Sequence, residues 1–454
     1  MAKYFGTYGV RRKLSEIQPE FVSGLCAAFG TYSKSGKIIV GRDTRTSGEM
    51  LQKAAVAGLL SAGCKVIELG VVPSPTVEME CRDMECDGGV IITASHNPPD
   101  WNAMKFMGPK GVGLPKEKGE KVEEIYDSGE SNRASWNQLK EVTYYFNAVT
   151  DHINKILANT DTQAVRERKP FVVIDCANGT ASKLAPYLFR ELGCKVVSLN
   201  AQPDGHFPGR HSEPTQKNIS DLISTVTTLG ADMGIAWDGD ADRVIFIDEK
   251  GGYVWGDKSF ALSVKMRLKE KKGPVVTTVA TSNVVKDVTE AEGCKLEYVR
   301  VGAPYISEKM LELNAVMGGE EVGGVVWPEV SWGKDGLMTA AKILELVCTS
   351  GKPLSKLIAE LPVYYNSKTK VDTLEKDKQA IMNAVVDKVR QSQPKARLNT
   401  IDGVRADLGG EWFIARPSGT ENYVRVFAEA KSQERADELT SKYKALVEEV
   451  VKSI

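Results

Sequence analysis

Short apolar runs alternate with amphipathic stretches along the first three quarters of the chain. The pattern predicts strands at residues 37–40, 66–69, 89–93 and 104–106, and helices that begin near residues 47, 181 and 283. Each helix ends at a Gly-Cys-Lys sequence, at residues 63–65, 193–195 and 293–295, and an apolar strand follows. A glycine at this point is typical of a helix C-terminus. Three copies in equivalent surroundings predict three related α/β units.

The last quarter of the chain has a different pattern. From about residue 364, a helix at 375–389 precedes short strands at 400–404, 406–408, 412–415 and 424–430, and a helix at 434–451 follows them. This order predicts a small antiparallel α+β domain. A polar linker at 128–137, a helix at 142–157 and a charged stretch at 161–169 complete the interpretation. The predicted domains are residues 1–157, 158–255, 256–363 and 364–454.

Composition limits the classes of partner. The 454 residues carry a formal net charge of −1, so no overall positive field attracts nucleic acid or an anionic membrane. No apolar run reaches membrane-spanning length. The eight cysteines are scattered and mostly lie in apolar segments, which favours reduced, buried thiols and a cytoplasmic location. Only four histidines are present, which disfavours a histidine-rich metal centre.

The first candidate for chemistry is Ser95, directly after the apolar run at residues 89–93. The sequence Asn97-Pro98-Pro99-Asp100 then stops any helix or strand. Ser95 is therefore predicted at the carboxyl end of a strand, where open α/β sheets bind their ligands. The alternative is an ordinary turn serine.

The most specific signal is the triplet Asp238, Asp240 and Asp242, followed by Arg243, between two apolar runs. Alternate positions on an extended segment place three carboxylates on one side, and such a cluster repels itself unless it holds a cation. A calcium loop of the EF-hand type is the alternative, but Arg243 occupies the position that needs glycine, and the flanking runs are strand-like. We therefore predict a divalent metal site, with Mg²⁺ the first choice.

Four further segments contain glycines with charged side chains. The segment 416–422, followed by Arg425, supplies the glycine, hydroxyl groups and arginines that suit a phosphate, or forms a tight turn. The glycine-rich segment 318–324 contains Glu320 and is either an exposed loop whose carboxylate accepts hydrogen bonds from hydroxyl groups or a flexible linker. The segments 9–12 and 41–45 could hold an anion or form solvated ion pairs.

Together, in this order, these motifs resemble the α-D-phosphohexomutases, and the resemblance covers essentially the whole chain. It implies three mixed α/β domains and a C-terminal domain of the TATA-box-binding-protein type around a central cleft. It also implies an enzyme of the isomerase class, an intramolecular phosphotransferase that interconverts hexose 1- and 6-phosphates of glucosamine, mannose or glucose. The implied partners are one Mg²⁺, a hexose 1,6-bisphosphate intermediate and a small phosphosugar, with no nucleic acid or membrane, in a monomer or homodimer.

The resemblance also implies roles for individual residues. Ser95 would be the phosphoserine and would bind Mg²⁺ with Asp238, Asp240 and Asp242. The other implied catalytic residues are His96, Lys105, Arg11 and Arg243, with Lys105 as a general acid/base and His96 as its alternative. The implied substrate-binding residues are Asn102, Arg300, Gly302, Glu320, Arg416, Ser418, Gly419, Thr420 and Arg425.

Two segments depart from the pattern of the family. Tyr8 and Arg12 stand where the family usually has Asp and Gly, and Val322 stands where the sugar loop usually carries Ser or Asn. Because Val322 cannot hydrogen bond through its side chain, the sequence leaves the hexose open. The Gly323-Gly324 pair at the end of this loop resembles the loop of archaeal phosphoglucosamine mutases and phosphomannomutases. Two alternative functions are a Mg²⁺-dependent sugar-phosphate phosphatase and a non-catalytic sugar-phosphate sensor.

Overall fold

The computed structural model describes residues 3–373, 375–418 and 422–454, which form four β-sheets in chain order. Three are mixed sheets flanked by helices, and the fourth is antiparallel. The predicted fold class, three α/β domains and a C-terminal α+β domain, is confirmed. Within the described part of the chain, no helix combines the length and apolarity needed to cross a bilayer.

The first sheet has the strand order β1-β5-β4-β2-β3-β6. Strands β1, β2, β3, β4 and β6 run in the same direction, while β5, which lies between β1 and β4, runs against them. Its elements are β1 (Val10–Lys13), α1 (Pro19–Tyr32), β2 (Lys37–Arg42), α2 (Gly48–Ser61), β3 (Lys65–Val71), α3 (Ser74–Asp83), β4 (Gly88–Ile92), β5 (Trp101–Met107), α4 (Lys116–Ser128) and β6 (Val142–Tyr144).

The second sheet has the order β11-β10-β9-β7-β8, and the third has the order β13-β12-β14-β15. The second unit contains α5 (Ala148–Ala158), α6 (Thr162–Arg168), β7 (Phe171–Asp175), α7 (Ala185–Glu191), β8 (Lys195–Leu199), α8 (Ser220–Leu229), β9 (Met233–Trp237), β10 (Val244–Asp248) and β11 (Tyr253–Val254). The third contains α9 (Gly256–Glu270), β12 (Val275–Thr278), α10 (Asn283–Ala291), β13 (Leu296–Val299), α11 (Ala303–Leu313), β14 (Met317–Glu320), β15 (Gly324–Val326), α12 (Gly336–Ser350) and α13 (Leu354–Ala359). The two units share one continuous hydrophobic core.

The repeated Gly-Cys-Lys sequences occupy the same place in each of the three units. Gly63, Gly193 and Gly293 all have positive φ, at 82°, 89° and 68°, and each directly follows the C-cap residue of a helix. Only glycine adopts this conformation without steric cost, so it ends the helix and turns the chain. In every unit, the strand after the glycine pairs in parallel with the strand before the helix: β3 with β2, β8 with β7, and β13 with β12.

The fourth sheet is antiparallel, in the order β16-β20-β19-β18-β17. Its elements are β16 (Tyr365–Asp372), α14 (Lys378–Ser392), β17 (Arg397–Asn399), β18 (Val404–Asp407), β19 (Trp412–Pro417), β20 (Tyr423–Ala430) and α15 (Gln433–Ser453). One face packs on α14 and α15, and the other contacts the third unit through Trp412 and Ile414. Arg405 is buried in that contact and donates to the carbonyl oxygens of Val279 and Thr281.

Several predicted element boundaries are wrong. The helix predicted at 142–157 is the edge strand β6 followed by α5, because Val142 and Tyr144 pair with β3. Residue 128 ends α4 and does not begin a linker. Of the residues predicted as a strand at 400–404, only Val404 lies in one, as the first residue of β18. Strand β16 gave no apolar signal because, of its eight residues, only Val371 is buried.

Candidate active site

Ser95 lies just beyond β4 in a tightly held loop. Its φ of +53° is a left-handed conformation that costs energy for a non-glycine residue. The loop is fixed by Arg45, which is fully buried beside Asp43 and donates to the carbonyl oxygens of Ser95 and Asn97. Arg45 therefore holds the Ser95 loop and is not an open anion site. Arg42, the other arginine of segment 41–45, lies 3.7 Å from the exposed Glu49 and forms an ion pair with it.

The Ser95 side chain points at the acidic triplet. Its Oγ donates to Asp238 Oδ2 at 2.7 Å, and His96 Nδ1 lies 3.4 Å from the same Oγ. Burial, followed by the cations of Arg243 and Arg11, lowers the pKa of His96 well below its ordinary value. The serine hydroxyl thus faces a buried carboxylate, with a neutral imidazole beside it.

The three aspartates lie in the turn between β9 and β10, and all three are buried. One carboxylate oxygen from each lies within 4.8 Å of the others. Burial, and then the neighbouring carboxylates of Asp240 and Asp242, raise the pKa of Asp238 well above its ordinary value. For Asp242, burial opposes ionisation, but the ammonium groups of Lys334 and Lys105 outweigh it and lower the pKa.

The donor set fits a hard divalent cation. The Oδ1 atoms of Asp240 and Asp242 are buried and have no hydrogen-bond partner among the described residues. Carboxylate oxygens are the ligands that Mg²⁺ prefers, and a buried oxygen without a partner is costly. The other oxygen of Asp240 accepts from Ser74 Oγ and from Lys105 Nζ, each at 2.6 Å.

Two arginines flank this centre. Arg11 donates to Asn97 Oδ1 at 2.6 Å, and burial together with the nearby Arg243 cation lowers its pKa to about 10. The Arg243 guanidinium lies 3.9 Å from Asp242 and 3.7 Å from Glu213. Both cations act on His96, the neighbour of Ser95, and two cations held close together favour an anion there.

Two buried lysines contact the aspartates, and one of them, Lys334, also contacts Glu320 in segment 318–324. Lys105 Nζ also lies 3.3 Å from Asp242 Oδ2, while Lys334 Nζ lies 3.4 Å from the same atom and 2.6 Å from Glu320 Oε1. A Cβ at Gly324 would lie 2.4 Å from Lys334 Cδ, so the last glycine of segment 318–324 makes room for this lysine. Sequence reasoning missed Lys334, which stands alone before the Asp335 helix cap and belongs to no motif.

Tyr8, one of the departures from the family pattern, lies under Lys105. The Lys105 ammonium is 5.3 Å from the centre of the Tyr8 ring, and the Tyr8 hydroxyl donates to Glu78 Oε1 at 2.9 Å. Burial is the main reason that the pKa of Glu78 rises to about 8. Tyr8 is thus held in place by a buried carboxyl group on α3.

The remaining predicted substrate residues lie in separate places. Asn102 is fully buried and hydrogen bonds with Ser47 and with the Ala103 N–H, so it does not face the open cleft. Arg300 is exposed and contacts Glu117 of the first unit and the Ile401 carbonyl of the fourth. Gly302 precedes α11, and a Cβ there would lie 2.2 Å from Thr7 Cγ2.

The predicted phosphate loop follows β19. Arg416 lies at the end of that strand, where two of its nitrogens contact Asp402 Oδ2 at 3.1 and 3.0 Å. The same oxygen accepts from the Val301 N–H of the third unit. Ser418 hydrogen bonds through its backbone with Tyr423 and Lys378, and Arg425 donates to the Tyr423 hydroxyl. Gly419 and Thr420 lie outside the described residues.

A buried serine beside three carboxylates and two arginines, with a separate cationic loop on another domain, defines a class of enzyme that handles phosphate esters. The chain matches the first, second and third α/β/α domains and the C-terminal domain of the phosphoglucomutase/phosphomannomutase family over residues 2–133, 150–252, 255–365 and 368–444. It belongs to this family and is a phosphohexomutase, an enzyme of the isomerase class.

Similar proteins cover the chain along its full length. The phosphoglucomutase/phosphomannomutase of Thermococcus kodakarensis is 45% identical over 459 aligned residues, covering 100% of both chains. A probable phosphoglucosamine mutase of Methanopyrus kandleri is 38% identical, also with 100% of both chains covered. A family protein from Burkholderia thailandensis has the same fold, with a TM-score of 0.87, 23% identity and coverage of 98% and 97%. The N-acetylphosphoglucosamine mutase of Aspergillus fumigatus, solved with GlcNAc-6P and magnesium, has a TM-score of 0.62, 15% identity and coverage of 99% and 96%.

Proposed function

We propose that the enzyme interconverts hexose 1-phosphates and 6-phosphates by way of a phosphorylated Ser95. The observation that carries this proposal is the Ser95 hydroxyl, 2.7 Å from a carboxylate of the metal loop and close to the cations of Arg11 and Arg243. A bound Mg²⁺ would supply positive charge at the transferring phosphoryl group. Asp238, Asp240 and Asp242, with a phosphorylated Ser95, would hold that ion.

The transfer has two balanced halves. The free hydroxyl of the sugar forms a bond to the phosphorus on Ser95 as the bond to Ser95 Oγ breaks, which gives a hexose 1,6-bisphosphate. The hydroxyl proton passes to a base. Lys105, the first candidate predicted from the sequence, can accept it only after giving up its own proton, because it is an ammonium paired with Asp240 and Asp242. The neutral imidazole of His96, the second candidate, can accept it directly. The bisphosphate then turns over, and its other phosphate returns to Ser95. Arg11 and Arg243 offset the charge that develops on the equatorial oxygens.

The phosphate that does not react needs its own site. Arg416, Ser418, Gly419, Thr420 and Arg425 are proposed for this role on the fourth domain. Glu320 is proposed to accept sugar hydroxyl hydrogen bonds, and Arg300 and Gly302 to contact the substrate where the first, third and fourth domains meet. Asn102, whose amide donates to Ser47 Oγ, is proposed to line the active site from within the first domain. A cytoplasmic location and a monomeric or homodimeric state stay predictions.

Turnover across several sugars tests the proposal and identifies the hexose. The purified enzyme, with Mg²⁺ and a trace of glucose 1,6-bisphosphate, is given the 1-phosphates of glucosamine, mannose and glucose. Appearance of a 6-phosphate at a rate equal to loss of the 1-phosphate supports the mutase. Release of inorganic phosphate at that rate would instead establish the phosphatase, and tight sugar-phosphate binding without turnover would establish the sensor.

A further inference from the structure

Three cations stand side by side across three strands of the fourth domain. Arg416 on β19 pairs in register with Arg425 on β20, and Arg425 pairs in register with Lys370 on β16. The neighbours Ala415, Val424 and Val371 point into the core beneath α14 and α15. Because side chains alternate along a strand, Arg416, Arg425 and Lys370 lie on the opposite face, the same face as Trp412 and Ile414.

Like charges directly opposite one another in a sheet destabilise it. Asp402 offsets the charge of Arg416. Arg425 and Lys370 instead share the Tyr423 ring, whose centre is 5.6 Å from the Arg425 guanidinium and 5.2 Å from the Lys370 ammonium. In residues 3–373, 375–418 and 422–454, no carboxylate lies within 4 Å of either cation. A polyanion bound at this row would relieve the repulsion.

We propose that Lys370 is a further ligand of the phosphate that the fourth domain holds, and that this anion site extends across β20 onto β16. The proposal rests on the proposed function, because it extends the site assigned there to Arg416 and Arg425. Lys370 suits the role chemically, since an ammonium on a flexible stem contacts phosphate as a point charge while the arginines contact it through a planar fork. The added cation matches a phosphate monoester, which carries nearly two charges near neutral pH.

The register distinguishes Lys370 from the next lysine on the same face. Lys368 lies two residues along β16, roughly 7 Å further from the loop. It pairs with Phe427, and its ammonium is 4.9 Å from the centre of that ring. Lys368 therefore provides a matched control with the same strand, face and charge.

Calorimetric titration with inorganic phosphate and with glucose 6-phosphate tests the proposal on the full-length protein. We expect Lys370→Met to raise the Kd for both probes about three- to tenfold, Lys370→Arg to restore most of the affinity, and Lys368→Met to change it less than twofold. The side chain is exposed on an edge strand, so folding should be preserved, which the melting temperature checks. An unchanged Kd in Lys370→Met, or an equal loss in Lys368→Met, would overturn the proposal.

Turnover separates this proposal from the function on which it rests. A ligand that holds the phosphate equally in the ground state and the transition state should change KM and leave kcat nearly constant. If the protein turns over no hexose phosphate but Lys370→Met still weakens phosphate binding, the function fails and the anion site stands. If turnover is present and the KM of Lys370→Met equals that of the unchanged protein, the function stands and Lys370 is excluded.

Discussion

Ser95 combines a left-handed backbone with a buried hydroxyl, and Arg45 fixes this conformation through hydrogen bonds to the carbonyl oxygens of Ser95 and Asn97. We expect Ser95→Ala to lower kcat on the order of 10³-fold or more, because the phosphoryl group loses its carrier. The affinity for the sugar phosphate should change only a few-fold, since the arginines and the phosphate loop remain. Stopped-time assays and titration calorimetry measure the two effects, with Ser128→Ala at the exposed end of α4 as control. Near-normal turnover of Ser95→Ala would end the phosphoserine proposal.

Glu78 gives the protein a stability that depends on pH. Its pKa rises from 4.5 to about 8 in the folded state, mainly through burial, among Tyr8, Lys105, Asp242 and Lys334. The folded protein therefore keeps a proton that the unfolded chain releases, so stability falls as pH increases from 4.5 to about 8. Glu78→Gln should remove up to about 1.4 kcal/mol per pH unit of this dependence.

Denaturant unfolding at several pH values measures the effect on Glu78→Gln. The exposed Glu124→Gln on α4 is the control variant. Parallel curves of unfolding free energy against pH for Glu78→Gln and the unchanged protein would contradict the assignment.

At the scale of single residues, sequence reasoning found the side chains that belong to motifs and missed those that support them. Ser95 and the three aspartates of the triplet could be found because the end of an apolar strand and alternating carboxylates are local sequence patterns. Lys334 and Arg45 act only through contacts far along the chain, with Asp242, Glu320 and the carbonyl oxygens of residues 95–97. No local pattern encodes such contacts.

Among the elements, the turn between β9 and β10 is the one that an ion should stabilise most. Adding Mg²⁺ at 100 times its Kd should stabilise the folded protein by about 2.7 kcal/mol, and EDTA should reverse this. Thermal unfolding with and without Mg²⁺ measures the shift. Asp240→Asn removes one charged ligand and should reduce the shift. If Mg²⁺ stabilised Asp240→Asn as much as the unchanged protein, the loop would not be the metal site.

The proposed phosphate-binding role of Arg416 predicts an effect on KM. We expect Arg416→Ala to raise the KM for the sugar phosphate about tenfold or more, since a hydrogen bond to a charged group contributes about 1.5–3 kcal/mol. The kcat should change little, because the loop holds the phosphate that does not react. Steady-state kinetics on Arg416→Ala, with the exposed Arg397→Ala on β17 as control, measure both constants. An unchanged KM would make the loop structural.

Elements were predictable where burial left an apolar pattern in the sequence. The strands at Gly88–Ile92 and Met233–Trp237 are buried throughout and read as apolar runs. Strand β16 pairs with β20 at eight positions, but seven of its eight side chains are not buried. Its sequence is therefore mostly polar and does not indicate a strand. The edge strand β6 was taken for part of a helix for a similar reason, since its side chains are half-buried or exposed.

Across the whole molecule, the four domains divide the chemistry. The first supplies Ser95 and Lys105, the second supplies the metal loop, and the third supplies Glu320 and Lys334, so contacts among the three form one buried centre. The fourth carries a cationic row on the face that contacts the third domain, where buried Arg405 fixes it. This division fits a bisphosphate with one phosphate at Ser95 and the other on the fourth domain.

Capture of the phosphoryl group on the enzyme tests this account most directly. Incubation with glucose 1,6-bisphosphate and Mg²⁺, followed by proteolysis and mass spectrometry, should find one phosphoryl group on the peptide that contains Ser95. Adding an excess of the hexose phosphate turned over fastest should then remove it, with no release of inorganic phosphate. A Ser95 peptide without phosphate, or an equal amount of phosphate bound by the Ser95→Ala protein, would contradict the account.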